Sequence, residues 1–507
     1  MPIDSSSCSI SMRRAVSTGK SWTAKAADAD ASVCRPRITS RSSRRRMAST
    51  SGGASLESSS STHAPVRSKP RGTSGSSAVH ATSARGPATQ QANRRNDRRY
   101  GIGDPWVELK QNPTPHGLEQ KARQRNSMHY EIISADCHVD LPWLPEDLFT
   151  EAAPRRLKDR MPYVTETEGG RYWVSRNGAR FGLQNGMGSA GRRYVPGQIH
   201  RSDRMAEQGL YRDGDAGIRR LTEPDLRISD QDLDGVQAEV LYGILGAAMR
   251  LGDNEAADEM MRIYNAWLAD FCATHPERFA GLANIPSHHV DSAVREIRRV
   301  AERGVLRGVE VANTHDMAPL FDACWEPLWA EAENAGLPVH YHTIGPRMDY
   351  DVESLSALAR RQAFAVHITS FQLAMAKIIM EIVYGGVLEA HPGLKVVIGE
   401  SGIGWIPYVL EHMDLEWEDQ FKDLTLTMRP SEYWRRQCYA TYQSDPIGIR
   451  LLDILGEDNV MWGSDFPHPD GVWPDSREFI ARELGEVSPE TRRKIVCENA
   501  ARLYGFI

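Results

Sequence analysis

From residue 128 onward, short runs of consecutive apolar and β-branched residues alternate with longer runs whose apolar positions recur every three or four residues. The first pattern predicts strands buried on both faces, and the second predicts amphipathic helices. Eight runs qualify as strands: "EIISADCH" (131–138), "AEVLYG" (238–243), "FAGLANIP" (279–286), "RGVEVAN" (307–313), "LPVHYHT" (337–343), "LKVVIGES" (394–401), "QCYATYQ" (437–443) and "VMWGSDFPH" (460–468). Among the helical runs between them, "SAVREIRRVAERG" and "LFDACWEPLWAEAENAG" close on Gly, a common helix stop. Eight strands alternating with helices over about 380 residues predict an α/β fold, a (β/α)8 TIM barrel whose site lies at the C-terminal ends of the strands. A doubly wound sheet would more often place a Gly-rich phosphate turn after its first strand, and none is present.

Two stretches break the alternation. Residues 141–230 include "ETEGGRYWVSRNGARFGLQNGMGSAGRRYVPGQ", rich in Gly and aromatics, which predicts a lid or cap inserted after strand one. A second insertion, mostly helical, is expected over 344–393.

Charge separates the first part of the chain from the rest. Residues 1–100 hold 18 Lys and Arg against 5 Asp and Glu, whereas residues 101–507 hold 43 against 62. The basic segment is rich in Ser, Arg, Gly and Ala without an apolar period, so residues 1–127 are expected to form a disordered tail and 128–507 the barrel. The tail reads as a nucleic-acid-binding arm, a transit peptide, or sequence upstream of a true start at Met128; the last is favoured, and nucleic acid is not an expected partner. It has no apolar run of signal-peptide or membrane-span length, so no membrane is expected either. Seven cysteines without a C-x-x-C pair fit a reduced cytoplasmic protein.

Candidate chemistry gathers where strands end. Residues two apart on a strand share a face, so Asp136 and His138 converge, as do His340 and His342. Strand six adds Glu400 and strand eight Asp465. Buried charge is costly unless paired or bound to a metal, and ligand-type side chains from four strands at one mouth predict a metal site. His342, nearer its strand's end, is the expected ligand of its pair; His340, His367 and His468 are expected pocket residues. The bland alternatives are a core histidine at 340 or 342, Glu400 capping the helix near Trp405, and Asp465 capping the turn "DFPHPDG".

The motifs "ADCHVDLP", "LPVHYHT", "GVLEAHPGLKVVIGESGIGWIPYVLEHMD", "VMWGSDFPHPDG" and "ENAARLYGF" resemble the amidohydrolase-related family that includes aminocarboxymuconate-semialdehyde decarboxylase and γ-resorcylate decarboxylase. The resemblance implies one divalent metal, Zn²⁺ or Mn²⁺, held by Asp136, His138, His342 and Asp465, with a small-molecule substrate and a homodimeric assembly. It implies Asp465 and Glu400 as the proton-handling residues. Two departures from the family pattern stand out: Asp136 replaces a His or Glu, and Glu400 replaces a His. Oxygen ligands favour harder ions, which shifts the balance towards Mn²⁺. The implied reaction is non-oxidative decarboxylation of a small aromatic or unsaturated carboxylic acid. Hydrolysis of an ester, lactone or amide-like compound is the alternative, and a non-catalytic metal-binding scaffold a remote one.

Overall fold

The structure, a computed structural model, describes residues 129–314, 316–343, 351 and 354–507. The tail expected over residues 1–127 lies outside the described residues. The eight expected strands form one parallel sheet in chain order: Ile133–His138, Ala238–Tyr242, Phe279–Ile285, Gly308–Val311, Val339–His342, Val396–Gly399, Cys438–Tyr442 and Val460–Trp462. Numbered one to eight around the barrel, each pairs in parallel with the next.

Backbone just beyond strand eight closes the ring. The Asp465 amide donates to the Asp136 carbonyl, and the His138 amide donates to the Phe466 carbonyl, both at 2.8 Å. Closure therefore seats Asp465 beside Asp136 and His138 of strand one.

The strands carry apolar runs because both faces are covered. Ile133, Val240, Leu282, Val309, Val339 and Val397 are all fully buried. The helices cover the outer face with one stripe each. In Val290–Arg303, Ala293, Val294, Ile297 and Val300 are buried while Arg295, Arg298 and Arg299 point to solvent. Fully burying each Val or Ile of such a stripe stabilises the fold by roughly 1.5–3 kcal/mol. Gly304 then ends this helix in the left-handed conformation.

Between strands one and two the chain builds a three-stranded antiparallel sheet (Tyr163–Thr167, Gly170–Val174, Arg180–Leu183) and helices that include Pro224–Asp234. Trp173 and Phe181 anchor the small sheet by burial, with Trp173 edge-on to Phe149. The second interruption holds the helices Ala357–Ser370 and Met375–Tyr384, joined by a 3-10 turn; residues 344–350, 352 and 353 lie outside the described residues.

Candidate active site

Strand alternation turns Asp136 and His138 to the inside of the barrel, while Cys137 faces away and donates to Ser134 Oγ at 3.0 Å. The two oxygens of Asp136 have different surroundings. Oδ2 accepts from Thr441 Oγ1 at 2.6 Å and from the Glu400 amide at 2.8 Å, which locks the carboxylate. Oδ1 is left facing His138 Nε2 at 3.4 Å and His342 Nε2 at 3.7 Å. Gly463 permits this closeness across the barrel seam, since a Cβ there would lie 2.5 Å from Asp136 Cβ.

The remaining carboxylates are set by unusual backbone. Glu400 and Asp465 follow strands six and eight with φ of 48° and 55°, a left-handed conformation that costs a non-glycine residue about 1–3 kcal/mol. Such strain persists where surrounding structure over-determines it, and here the Glu400 amide is fixed by Asp136 and Thr441 and the Asp465 amide by the Asp136 carbonyl. His342 Nε2 lies 3.4 Å from Glu400 Oε2, and Gly399 makes room for the ring, a Cβ there falling 2.9 Å from His342 Cδ2. His138 Nε2 lies 3.2 Å from Asp465 Oδ1.

These groups form a ligand set. Asp136 Oδ1, His138 Nε2, His342 Nε2 and both carboxylate oxygens of Asp465 are buried without a hydrogen-bond partner among the described residues. Leaving one such atom unsatisfied costs about 1–3 kcal/mol, so five together require a common partner, and a divalent cation fits that requirement. Two overlapping groups have ligand-type atoms within 4.8 Å of one another: Asp136, His138 and His342, and His138, Glu400, Asp465 and His468.

Protonation follows from charge and burial. Burial acts to raise the Asp136 pKa, but His138 and His342 outweigh it and hold the carboxyl below its usual range. For His138, burial and His468 act downward, yet Asp136 and Asp465 prevail and push it up to about 9. Burial, reinforced by Asp465 and Asp470, raises Glu400 well above the ordinary carboxylate value.

The other candidate histidines occupy three different settings. His468 is saturated, Nε2 lying 2.8 Å from Asp140 Oδ2 and Nδ1 3.1 Å from Asp465 Oδ1. His367 reaches the cavity from the helix Ala357–Ser370. His340 is fully buried and pairs Nδ1 with Tyr242 Oη at 3.0 Å; it stands among the core residues, and burial lowers its pKa to about 3. The cavity above the ligand set measures about 600 Å³. Its walls include Gly188 and Arg192 from the insertion, Arg250, Glu310, and Phe364 and Phe371 from the second insertion.

Three supporting residues escaped sequence reasoning. Asp140 continues the strand-one alternation and was available as D-x-H-x-D. Glu310 is the one acid in an otherwise apolar strand. Arg227 gives no local signal, yet it is fully buried, donating Nε to Glu239 Oε2 at 2.6 Å and Nη1 to the His138 carbonyl at 2.9 Å.

A parallel eight-stranded barrel with carboxylates and imidazoles at its strand ends defines the class of metal-dependent hydrolases and lyases. The chain belongs to the amidohydrolase family, which matches residues 135–506. A γ-resorcylate decarboxylase of Rhodococcus jostii (strain RHA1) is 28% identical over 314 residues, covering 58% of this chain and 91% of that one. The 2-amino-3-carboxymuconate-6-semialdehyde decarboxylase of Dictyostelium discoideum is 23% identical, covering 56% and 77%. Among solved structures, an amidohydrolase from Mycobacterium avium subsp. paratuberculosis K-10 superposes with a TM-score of 0.57 at 21% identity, covering 75% of this chain and 99% of its own. The 5-carboxyvanillate decarboxylase of Sphingomonas paucimobilis gives 0.51 at 21% identity, covering 74% and 99%.

Proposed function

We propose that the chain is a metal-dependent enzyme that removes CO2 from a small aromatic or unsaturated carboxylic acid. The observation that carries this reading is the set of five unpartnered ligand atoms beside a cavity of about 600 Å³. Its similarity to curated decarboxylases supports the choice of reaction. Asp136, His138, His342 and Asp465 would hold one divalent cation, Zn²⁺ or Mn²⁺. Bound there, the cation would supply Lewis acidity to a substrate oxygen. Two carboxylates in the set favour Mn²⁺.

The chain's own residues divide the remaining work. Arg192 and Arg250 put positive charge on the cavity wall, which draws in a carboxylate. The guanidinium of Arg192 lies 5.6 Å from the Phe364 ring, and that of Arg250 donates to the carbonyls of Gly246 and Arg180; among the described residues neither is paired with a carboxylate. The ring of Phe364 and that of Phe371 offer apolar surface to an aromatic acid. Glu400 borders the cavity with Thr343 Oγ1 donating to its Oε2 at 3.1 Å, and it delivers the proton. The bond between the carboxyl carbon and its neighbour breaks, CO2 departs, and the electron pair left on the neighbour takes the Glu400 proton. Asp465, beside His138 and His468, holds position and shares the proton load.

Glu400 in place of the decarboxylases' histidine supports hydrolysis of an ester, lactone or amide as a second reading. Incubating the Mn²⁺-loaded protein with a panel of aromatic and unsaturated acids should release CO2. Ester or lactone cleavage without CO2 would favour the second reading, and silence in both would favour a scaffold.

A second copy of the chain is proposed to cover the apolar face of Ala357–Ser370, where Leu358 and Val366 are 68% and 63% exposed. The stretch Ala357–Tyr384 is long and apolar enough to cross a membrane by length and composition. However, a turn divides it, and Ile378, Ile379, Ile382 and Val383 of its second half are buried. That burial supports a protein partner over lipid. Sedimentation should show a dimer that Val366→Glu dissociates; a monomer at every concentration would refute it.

A further inference from the structure

We propose that Glu310 determines substrate choice by accepting a hydrogen bond from a hydroxyl or amino group on the substrate ring. The inference rests on the functional reading above, in that it takes the same cavity as the substrate cavity. Glu310 lies on strand four, half-way round the barrel from Asp465, and takes no part in the ligand set. In the sheet it pairs with Asn284 on one side and His340 on the other, so it projects to the barrel's interior as they do.

Its carboxyl is held in one orientation. Oε2 accepts from Asn284 Nδ2 at 3.1 Å and from the Gly243 amide at 3.2 Å. Asn284 is itself fixed, its Oδ1 accepting from the Ile244 backbone amide at 2.9 Å and its own backbone N–H donating to Asn265 Oδ1 at 2.7 Å. Oε1 has no partner among the described residues, although Glu310 is only 3% exposed, and the residue lines the cavity. An acceptor fixed in this orientation at the wall of the cavity, with no partner of its own among the described residues, is placed to take a hydrogen bond from a donor on the cavity's occupant. A site built around such a group discriminates strongly against an analogue that lacks the donor.

The test compares hydroxy-, amino- and methoxybenzoates of matched ring position, binding to the Mn²⁺-loaded full chain and followed by calorimetry. Wild type should bind at least one hydroxy or amino isomer about tenfold more tightly than its methoxy counterpart. In Glu310→Gln the amide oxygen can keep both bonds from Asn284 and Gly243, which turns the NH2 towards the cavity. The preference should then vanish or reverse, with bound Mn²⁺ unchanged. A preference that survives Glu310→Gln, or an equal weakening of every ligand, overturns the proposal. Should that variant fail to fold, Glu310→Asp withdraws the oxygen from the cavity and must also lose the preference. Absence of binding by every benzoate to wild type would overturn both the aromatic-acid form of the proposed function and the Glu310 proposal, whereas binding with an unmoved preference refutes Glu310 alone.

Discussion

His468 stacks on His138, with ring centroids 3.9 Å apart and planes inclined by 22°. The same ring reaches Asp465 with Nδ1 and Asp140 with Nε2. One imidazole thus supports two members of the ligand set, one through its face and one through its edge. Partners of this kind fix the orientation of metal ligands.

His468→Ala should therefore lower affinity for Mn²⁺ or Zn²⁺ by about 10- to 100-fold without unfolding the barrel. His468→Phe separates the two supports. It keeps the stack and removes both polar contacts, so an affinity like that of the alanine variant assigns the effect to Asp465 and Asp140. Titration against a competing chelator measures both variants. Wild-type affinity in His468→Ala would remove His468 from the supporting set.

The ligand set itself predicts how metal content responds. Purified protein should hold about one divalent ion per chain, and Asp465→Asn should lose both metal and activity, because the variant gives up the negative charge that faces the ligand imidazoles and leaves one neutral oxygen in place of two. Elemental analysis of the two proteins decides this. A full metal content in Asp465→Asn would show that the strand-eight carboxylate is no ligand.

What the sequence revealed depended on whether local pattern and three-dimensional role coincide. The barrel strands were legible because strands buried on both faces become apolar runs, and a polar residue ending such a run, as Asp136, His342 and Glu400 do, stands out against it. Asp465 required the Trp-Gly-Ser lead-in, and closure of the barrel explains that lead-in: Gly463 must pass against Asp136. The sheet over Tyr163–Leu183 stayed hidden since its strands are partly exposed, so "YVTET" carries no continuous apolar signal. His340 and His342 share one alternation pattern, and only depth separates a buried partner of Tyr242 from a ring at the cavity. Arg227 was invisible because its partners, Glu239 and the His138 carbonyl, are remote in sequence.

Glu400→Gln should leave metal content almost unchanged while turnover falls by roughly 10²- to 10⁴-fold, the usual range for loss of a proton-transferring group. The amide keeps the size and can still accept from Thr343 Oγ1. Lost metal with activity restored by excess Mn²⁺ would make Glu400 a ligand, consistent with its place in the second ligand-type group.

Arg227→Met should be among the costliest substitutions outside the site. It strands Glu239, which is 3% exposed, and removes the donor on the His138 carbonyl. Breaking a buried ion pair on one side costs about 3–5 kcal/mol. The double variant Arg227→Met/Glu239→Gln removes the stranded charge and should recover part of the loss. Denaturant midpoints provide the comparison, and equal stability of wild type and Arg227→Met would refute a structural role for the pair.

Asp234 gives the fold a pH dependence that is separable from the site. Burial raises its pKa from 3.8 to about 7, and hydrogen bonds from the Ser476 amide at 2.9 Å and Ser476 Oγ at 2.5 Å only partly offset that rise. Nearby Glu239 and Asp475 push in the same direction as burial. A carboxyl whose folded pKa lies above its unfolded value binds its proton more tightly when folded, so folding loses stability as pH climbs from about 4 to about 7 and loses no more above that. Each pH unit across this window corresponds to at most about 1.4 kcal/mol. Asp234→Asn retains the acceptor for the Ser476 amide, can donate to Ser476 Oγ, and carries no titrating group. Wild type and variant should therefore melt at similar temperatures near the acidic end of the window, and the variant should gain progressively as pH rises. Thermal unfolding of the metal-loaded proteins across that range makes the comparison. A melting-temperature difference that stays flat with pH would show that Asp234 titrates alike in the folded and unfolded chain.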